Sequence, residues 1–283
     1  MQTPTPISID HAKLLDALLP VTLAAARIQM SYFRRKTAVS SKPDASPVTA
    51  ADQESETLIV TALNALAPGI PVVAEEAVAA GHVPDISKSA GQEYFLIDPL
   101  DGTREFIADR PEFTINIALV RDGTPRFGIV YAPALGILYA SLGDASAIEA
   151  SVQPTATRTR FANLTARPIR TRAAPAGGLI AVASRSHGNV ATDAFLGQYR
   201  IAQRIAAGSS LKFCVLAKGE ADIYPRLGRT CEWDTAAGHA VLVAAGGIVT
   251  TLDGQPLTYG RSAPRFLNPD FVAWGKHVLP VQY

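Results

Sequence analysis

Cysteine is scarce in this sequence of 283 residues, and two other absences narrow its class. The two cysteines, Cys214 and Cys231, are too few to stabilise a secreted fold of this size, so we expect buried, reduced thiols. The N-terminus lacks a basic segment followed by a short apolar run, which argues against a secretory signal. No stretch reaches about 18 uninterrupted apolar residues, so no membrane-spanning helix is expected.

Charge of one sign is also lacking, because 26 basic residues balance 25 acidic ones and leave a net charge of +1. Nothing global therefore attracts nucleic acid or an anionic membrane. The five histidines are scattered without metal-type spacing. We expect a cytoplasmic protein with a small-molecule partner. A peripheral position at the inner face of the cell membrane and the choice between monomer and homodimer stay open.

The hydrophobic pattern predicts an α/β (α+β) fold. Helical stripes cover residues 10–34, with Asp10 as N-cap and Pro20 as a kink or break, and residues 50–66. Short β-type runs follow, and three of them, at 113–120, 127–132 and 136–141, indicate an antiparallel meander. From residue 179 onward strands and helices alternate.

Residues 143–178 separate these two halves and show little periodicity. We therefore expect an N-terminal lobe over 1–145 and a C-terminal lobe over 150–283. The intervening stretch is basic, with arginines at 158, 160, 167, 170 and 172. It is either a solvated connection or a surface that attracts an anionic substrate.

The segment Asp98-Pro99-Leu100-Asp101-Gly102-Thr103 is the most informative one in the chain. It follows an apolar strand, and α/β proteins place ligands at the carboxyl ends of strands. Pro99 fixes φ and Gly102 permits a backbone conformation closed to other residues, so a tight turn is expected. Such a turn aims Asp98 and Asp101 at one point, together with the Leu100 carbonyl. Converging carboxylates need a cation, and all-oxygen ligands favour magnesium or manganese.

Three further acidic segments carry both a functional and an ordinary interpretation. Glu75 and Glu76 end a short β-type run. Asp234 precedes an apolar helix, and an Asp at that position is by default an N-cap. The small residues that follow Asp234 leave room at the helix N-terminus for another group, such as a phosphate. Asp52 lies in the first turn of the second helix, where the macrodipole favours it. Their joint occurrence with Asp98 is what favours the functional interpretation.

These segments, in this order, resemble the inositol monophosphatase family of magnesium-dependent phosphatases, from the first helix to Asn268. The resemblance implies a layered αβαβα sandwich of the inositol monophosphatase/fructose-1,6-bisphosphatase type, with the metals between the lobes and Asp234 reaching across. It also implies roles for single residues. Glu75, Asp98 and the Leu100 carbonyl would hold one magnesium ion. Asp98, Asp101 and Asp234 would hold a second.

The resemblance further implies a third, mostly water-bound ion near Glu75, with manganese as a substitute for magnesium. Asp52 and Thr103 would orient the attacking water, and the backbone N–H groups of Gly102 and Thr103 would hold the phosphate. The substrate-binding residues would be the following: Glu75, Leu100, Asp101, Gly102, Thr103, Ser209, Lys212, Arg226 and Asp234.

Within the family, the CysQ-type 3'(2'),5'-bisphosphate nucleotidases are the most similar branch, through five segments: 98–107 (DPLDGTREFI), 184–187 (SRSH), 208–214 (GSSLKFC), 224–226 (YPR) and 233–241 (WDTAAGHAV). Sugar-alcohol phosphatases of the family have an acidic residue where this chain has Arg226. An arginine there favours a second anionic group, and Lys212 would add a charge. For both cations a surface salt bridge is the alternative.

The sequence therefore predicts hydrolysis of the 3'-phosphate of 3'-phosphoadenosine 5'-phosphate (PAP), with its sulfated form PAPS as a further substrate. A phosphatase for inositol 1-phosphate or a sugar phosphate on the same scaffold is the alternative. A metal- or nucleotide-binding regulator without catalysis is a third hypothesis. It would require a broken set of acidic residues, whereas every acidic position is present here.

Overall fold

The computed structural model describes residues 10–35, 39–41, 47–88, 93–157, 159–184, 190–261 and 265–276. Its α-helices are α1 His11–Tyr32, α2 Ala50–Leu66, α3 Glu75–Ala79, α4 Thr103–Ile107, α5 Val190–Leu196, α6 Leu211–Ala217 and α7 Ala236–Ala244. Its first nine strands are β1 Val39–Ser41, β2 Pro47–Thr49, β3 Val72–Ala74, β4 Tyr94–Asp101, β5 Thr114–Arg121, β6 Thr124–Ala132, β7 Ile137–Ser141, β8 Ala147–Ser151 and β9 Ala166–Ile169. The remaining strands are β10 Leu179–Ser184, β11 Ile201–Ala207, β12 Ile223–Arg226, β13 Ile248–Thr251 and β14 Phe271–Trp274. Short 3-10 turns lie at Ile86–Lys88, Phe161–Asn163 and Glu232–Asp234.

The first sheet has seven strands in the order β3-β4-β5-β6-β7-β8-β9. Only β3 and β4 run parallel, and the antiparallel ladder from β5 to β7 confirms the predicted meander. β8 and β9 extend this sheet to Ile169, inside the stretch that we expected to be irregular. The position of the boundary between the two predicted lobes stays a prediction.

Helix α1 begins where the sequence predicted, because the Asp10 carboxylate accepts a hydrogen bond from the Lys13 N–H at 3.0 Å. Pro20 does not break it. Its ring lies on the solvent side of a continuous helix, where water can satisfy the carbonyl group that loses its partner. By length and composition α1 is apolar enough to cross a membrane. In this fold its buried leucines pack against α2 and the first sheet.

The elements form five layers, which confirms the predicted αβαβα sandwich. Helices α1 and α2 cover one face of the first sheet. Helices α6 and α7 lie between its other face and a second sheet of five strands, in the order β11-β10-β12-β14-β13. Helix α5 covers the outer face of that second sheet. The second sheet is mixed, since β10, β11 and β12 are parallel while β14 runs antiparallel to its neighbours.

Small residues let α7 pack closely in this central layer. A Cβ atom at Gly238 would lie 2.6 Å from the Phe213 ring, and one at Gly128 on β6 would lie 2.3 Å from the Ala237 carbonyl oxygen. We expected the small residues after Asp234 to leave room for a ligand. The space next to Ala237 and Gly238 is instead filled by protein atoms, because α7 packs directly on the first sheet and on α6.

The basic stretch is partly explained by ion pairs. Arg167 pairs with Glu149 at 2.8 Å, and Arg172 forms a two-pronged pair with the buried Asp222, with both N–O distances at 2.9 Å. The second pair ties the segment between β9 and β10 to the second sheet. These two arginines fit the solvated connection better than a surface that attracts substrate. Arg158 lies outside the described residues.

Candidate active site

Three carboxylates from distant parts of the chain meet at one point. Glu75, Asp98 and Asp234 each offer an oxygen atom, and these atoms all lie within 4.8 Å of one another. Glu75 is the first residue of α3, Asp98 lies on β4, and Asp234 ends the 3-10 turn before α7. Carboxylates at this separation repel one another unless a proton or a cation compensates them. The cluster is therefore suited to bind a metal ion.

A β-bulge, rather than the tight turn that we expected, aims the acidic residues of β4. Asp98 pairs with Asn116 and Asp101 with Thr114, so three steps along β4 match two along β5. The extra residue changes the direction in which the following side chains point, and such bulges are common beside active sites. Gly102 then adopts a φ of 91°, which confirms the need for glycine there.

Hydrogen bonds hold the bulge in place. One Asp98 oxygen accepts the Leu100 N–H at 3.0 Å, which fixes the orientation of the carboxylate. From α1, the fully buried side chain of Gln29 donates its amide N–H to the Pro99 carbonyl at 2.5 Å. Neither contact was expected from the sequence. The segment that carries Asp98 is thus fastened to the first layer of the fold.

Asp101 points into the same region, but among the described residues it is not part of the cluster of Glu75, Asp98 and Asp234. One of its oxygens accepts three hydrogen bonds: from the Ser209 hydroxyl at 2.5 Å, the Ser210 N–H at 2.6 Å and the Asn116 amide at 3.4 Å. Burial raises the pKa of Asp101, while the nearby Lys212 ammonium opposes the rise. The carboxylate is therefore held by the loop that precedes α6.

A buried hydroxyl cluster stands behind this carboxylate. The Thr114 hydroxyl lies 2.5 Å from the Ser209 hydroxyl and 2.8 Å from that of Ser210, which in turn donates to the Asn116 side chain at 2.7 Å. Ser209 has a φ of 53°, a left-handed conformation that is strained for a residue with a Cβ atom. The cluster links β5 to the loop before α6 and so fixes the two sides of the site relative to each other.

Asp234 caps the short turn in which it lies, and not α7. One oxygen accepts the Cys231 N–H at 2.7 Å, and Thr235 takes the N-cap position of α7. Burial raises the pKa of Asp234 to about 8, and the charges of Asp101 and Glu75 add to the rise. Without a cation, this carboxyl group therefore retains its proton at neutral pH.

The predicted pair of Thr103 and Asp52 is in contact. The Thr103 hydroxyl lies 3.2 Å from one Asp52 oxygen and 3.3 Å from the Leu100 carbonyl. The other Asp52 oxygen accepts the N–H and the hydroxyl of Thr49, at 2.9 and 2.5 Å. Asp52 therefore both stabilises the start of α2 and binds Thr103.

A cavity of about 260 Å³ opens beside the cluster. Eight of the nine predicted substrate-binding residues line it, namely Glu75, Asp101, Gly102, Thr103, Ser209, Lys212, Arg226 and Asp234. Leu100, the ninth, does not line it, and its side chain is buried among aromatic residues. The cavity is large enough to admit a phosphate group.

Two cations face this cavity. The Lys212 ammonium is buried, donates to the Ser209 carbonyl at 2.5 Å and lies 5.6 Å from the centre of the Tyr224 ring. Burial lowers its pKa, and the Asp101 charge acts against that shift. Arg226 donates to the Arg229 carbonyl at 3.0 Å, while its Nε atom is buried without a partner. Neither cation forms an ion pair with a carboxylate of the described residues, so the salt-bridge alternative receives no support.

The comparisons with known proteins agree with this geometry. The family model described as "Inositol monophosphatase family" matches residues 10–274. The chain belongs to the inositol monophosphatase family. Two curated relatives carry the name 3'(2'),5'-bisphosphate nucleotidase CysQ. The one from Shigella flexneri is 45% identical over 236 residues, which cover 82% of this chain and 87% of the relative. The one from Buchnera aphidicola is 36% identical over 264 residues, which cover 92% and 93%.

A solved structure of the same family has the same fold. It is CysQ from Bacteroides thetaiotaomicron, with a TM-score of 0.78, 31% identity, and coverage of 94% of this chain and 98% of the other. Of the segments that carried the resemblance in the sequence, 184–187 lies largely outside the described residues, as do His187 and His277. The other segments converge on the cavity or on the elements around it.

Sequence reasoning missed the residues that hold the acidic groups. Gln29, Glu56, Asn116 and Ser210 contact the segments that carry the acidic residues. Ser210 lies in the segment 208–214 but was assigned no role, and the other three stand in no motif with a recognisable chemical role. The available signal was weak: Gln29 and Glu56 are polar residues at positions where the helical pattern faces the core. Buried polar residues of that kind usually have a specific hydrogen-bond partner.

Proposed function

We propose that the chain is a magnesium-dependent phosphatase that converts 3'-phosphoadenosine 5'-phosphate and water to AMP and inorganic phosphate. The meeting of Glu75, Asp98 and Asp234 within 4.8 Å, beside the contact between Thr103 and Asp52, carries the proposal. The curated relatives that are named bisphosphate nucleotidases support the choice of substrate. Inositol 1-phosphate or a sugar phosphate on the same scaffold is the second candidate.

Magnesium is favoured by the donor set. All side chains of the cluster offer carboxylate oxygens, and hard oxygen ligands suit magnesium, with manganese as a substitute. Burial raises the pKa of Asp234 and the charges of Asp101 and Glu75 add to the rise, so a cation would stabilise the ionised form of the cluster. We infer two to three ions. Glu75, Asp98 and the Leu100 carbonyl would hold one, Asp98, Asp101 and Asp234 would hold a second, and a third would lie near Glu75.

When bound, magnesium supplies Lewis-acid stabilisation of the charge that develops on the phosphoryl oxygens and on the leaving group. The residues of the chain provide position, which dominates phosphoryl transfer. The Thr103 hydroxyl can donate its proton in a hydrogen bond to Asp52 or to the Leu100 carbonyl, so the lone pairs of its oxygen can accept a hydrogen bond from a water molecule and orient it. We expect the backbone N–H groups of Gly102 and Thr103, at the start of α4, to hold the phosphate.

The second phosphate of the substrate would be recognised by cations. Arg226 keeps a buried N–H without a partner at the cavity, and an arginine binds phosphate in a two-pronged manner. Lys212 adds a positive charge on the same side of the cavity, and its hydrogen bond to the Ser209 carbonyl holds the ammonium group in position. An inositol monophosphate offers neutral hydroxyl groups there instead, which both cations bind less strongly than a phosphate. This charge pattern favours a substrate with two phosphates.

A substrate panel tests the proposal. The purified chain is given PAP, PAPS, AMP and inositol 1-phosphate with magnesium, and the release of phosphate is measured. We expect PAP to be hydrolysed fastest. Arg226→Glu should lower kcat/KM for PAP by about 100-fold, since it replaces an attractive charge-assisted contact by a repulsive charge. Its activity on a monophosphate should change far less.

Arg200→Glu is the matched control, because it makes the same charge change at an exposed position outside the cavity. It should leave both activities as they are. Faster hydrolysis of inositol 1-phosphate than of PAP would establish the second candidate. Equal losses on both substrates in Arg226→Glu would contradict the role of Arg226. A chain that is inert on all phosphate esters with magnesium would favour the non-catalytic regulator.

Three broader features belong to the same proposal. We infer two lobes, over 1–145 and 150–283, with the metal site between them. The substrate is a small phosphorylated nucleotide and not a nucleic acid, consistent with the net charge of +1. The cytoplasm is the expected location, and monomer and homodimer both remain compatible with the fold.

A further inference from the structure

Helix α3 carries Glu75 but lacks the residues that would stabilise it locally. It is only five residues long, and its N-cap is Ala74, which makes no side-chain hydrogen bond. Isolated helices of this length are unstable in water, and the first N–H groups of any helix need an outside acceptor. The position of Glu75, at the first turn, therefore depends on a contact from elsewhere in the fold.

That contact comes from Glu56 on α2. Its two carboxylate oxygens accept the backbone N–H groups of Glu76 and Ala77, at 2.7 and 2.8 Å. Glu56 is 7% exposed, so water competes little for these bonds. The carboxylate thus performs, from about 20 residues away, the capping that Ala74 cannot perform. Hydrogen bonds to an ionised acceptor are about twice as strong as neutral ones.

A buried carboxylate at this position destabilises the fold unless its negative charge is compensated. Glu75 and Glu76 carry negative charges in the same first turn, and a third acidic residue beside them adds repulsion. The positive end of α3 and the two N–H groups offset that repulsion only while the helix keeps its present position. Glu56 therefore fixes where α3 begins, and with it the backbone from which Glu75 points at Asp98 and Asp234.

We propose that Glu56 is a positioning residue for metal binding. Through the N-terminus of α3 it holds Glu75 within reach of the other two carboxylates, without coordinating the ion itself. The inference deepens the proposed function and rests on its metal site, but not on the identity of the substrate. Residues that orient metal ligands from behind typically change metal affinity by about 10- to 100-fold when they are replaced.

Glu56→Gln is the informative variant. It preserves size but replaces one acceptor oxygen by an NH₂ group that faces a backbone N–H, so one of the two bonds is lost and the charge is removed. Binding of magnesium to the metal-free protein is measured by isothermal titration calorimetry without substrate. We expect about 10-fold weaker binding. The magnesium concentration for half-maximal phosphatase activity should rise by a similar factor, while kcat at saturating magnesium stays within about twofold.

Ser55→Ala is the matched control. Ser55 is the neighbour of Glu56 on α2, is fully buried, and contacts the Ala25 carbonyl of α1 at 3.4 Å instead of α3. Both variants are melted in EDTA and in magnesium. We expect the rise in Tm on adding magnesium to shrink in Glu56→Gln and to stay as in the wild type in Ser55→Ala.

The possible outcomes separate the two proposals. Wild-type magnesium affinity in Glu56→Gln would overturn the positioning role and leave the proposed function intact. An equal loss of affinity in Ser55→Ala would also overturn it, because the effect would then belong to α2 as a whole. If the wild type binds magnesium but hydrolyses no phosphate ester, the proposed function fails, and the calorimetry still decides the role of Glu56.

Discussion

Binding of magnesium should release a proton from Asp234. The pKa of this buried carboxyl group is raised to about 8, so the protonated form predominates in the metal-free molecules at pH 7. A metal ligand must be ionised, and binding therefore competes with the proton. We expect about one proton to be released per site filled at pH 7. Because the pKa of Asp101 is also raised, that group can add a further fraction of a proton.

The magnesium affinity should therefore rise with pH until Asp234 is fully ionised. From about pH 9 upward the Asp234 carboxylate is almost fully ionised and the magnesium affinity is at its plateau. Below the pKa, the apparent affinity should fall about tenfold for each pH unit, which corresponds to about 1.4 kcal/mol per unit. Between pH 9 and pH 7 the loss is about tenfold, and between pH 7 and pH 6 it is nearly tenfold again.

Calorimetry in two buffers measures this release. Tris and PIPES differ widely in ionisation enthalpy, so a titration at pH 7 gives different heats in the two buffers if protons are released. Asp234→Asn cannot lose a proton at this position and should abolish most of the difference at the higher metal concentration that it requires. Equal heats in both buffers for the wild type, or an affinity that stays constant from pH 6 to pH 8.5, would refute the reasoning.

Three further substitutions test other parts of the structure. Asp98→Asn should lower phosphatase activity by at least 1000-fold at any magnesium concentration, since it removes a ligand shared by two ions; recovery at high magnesium would contradict the sharing. Gln29→Leu should raise the half-saturating magnesium concentration about 10-fold, whereas Thr22→Val, a buried change on the same helix away from the bulge, should not. Gly238→Ala should destabilise the fold by about 1–3 kcal/mol, because the added Cβ would lie 2.6 Å from Phe213. We expect the Tm to fall by about 2–10 °C. An unchanged Tm would show that α6 can move away from α7 without cost.

Much of the fold could be predicted, because strong periodicity decides the first half of the chain. The predicted helices at 10–34 and 50–66 agree closely with α1 and α2, since each has a cap at its start and an apolar stripe. The pair β8 and β9 was missed, because its Ala, Ser, Arg and Pro residues hide the alternation that a strand normally shows. β14 was missed because it is a buried run of four residues, too short for periodicity to be visible.

The acidic residues of the site could also be predicted, but not the way in which they are held. The spacing of Asp98 and Asp101 and the position of Asp234 before a helix are visible in the sequence. The bulge in β4 depends on the pairing with β5, which no local pattern specifies. The contact of Glu56 with α3 depends on how α2 packs, and α3 itself was not predicted, because its neighbours give it no cap.

The position of Asp234 depends on the segment around Asn268, which is synthesised after it. Asn268 donates its side-chain amide to the Cys231 carbonyl at 2.7 Å and to the Thr235 hydroxyl at 3.1 Å, on both sides of Asp234, and the Phe266 carbonyl accepts the Glu232 N–H at 2.7 Å. A nascent chain that ends before these residues therefore lacks the hydrogen bonds that hold the backbone on both sides of Asp234. Cations should bind such a chain only weakly, so the ion-binding state requires that synthesis has passed Asn268.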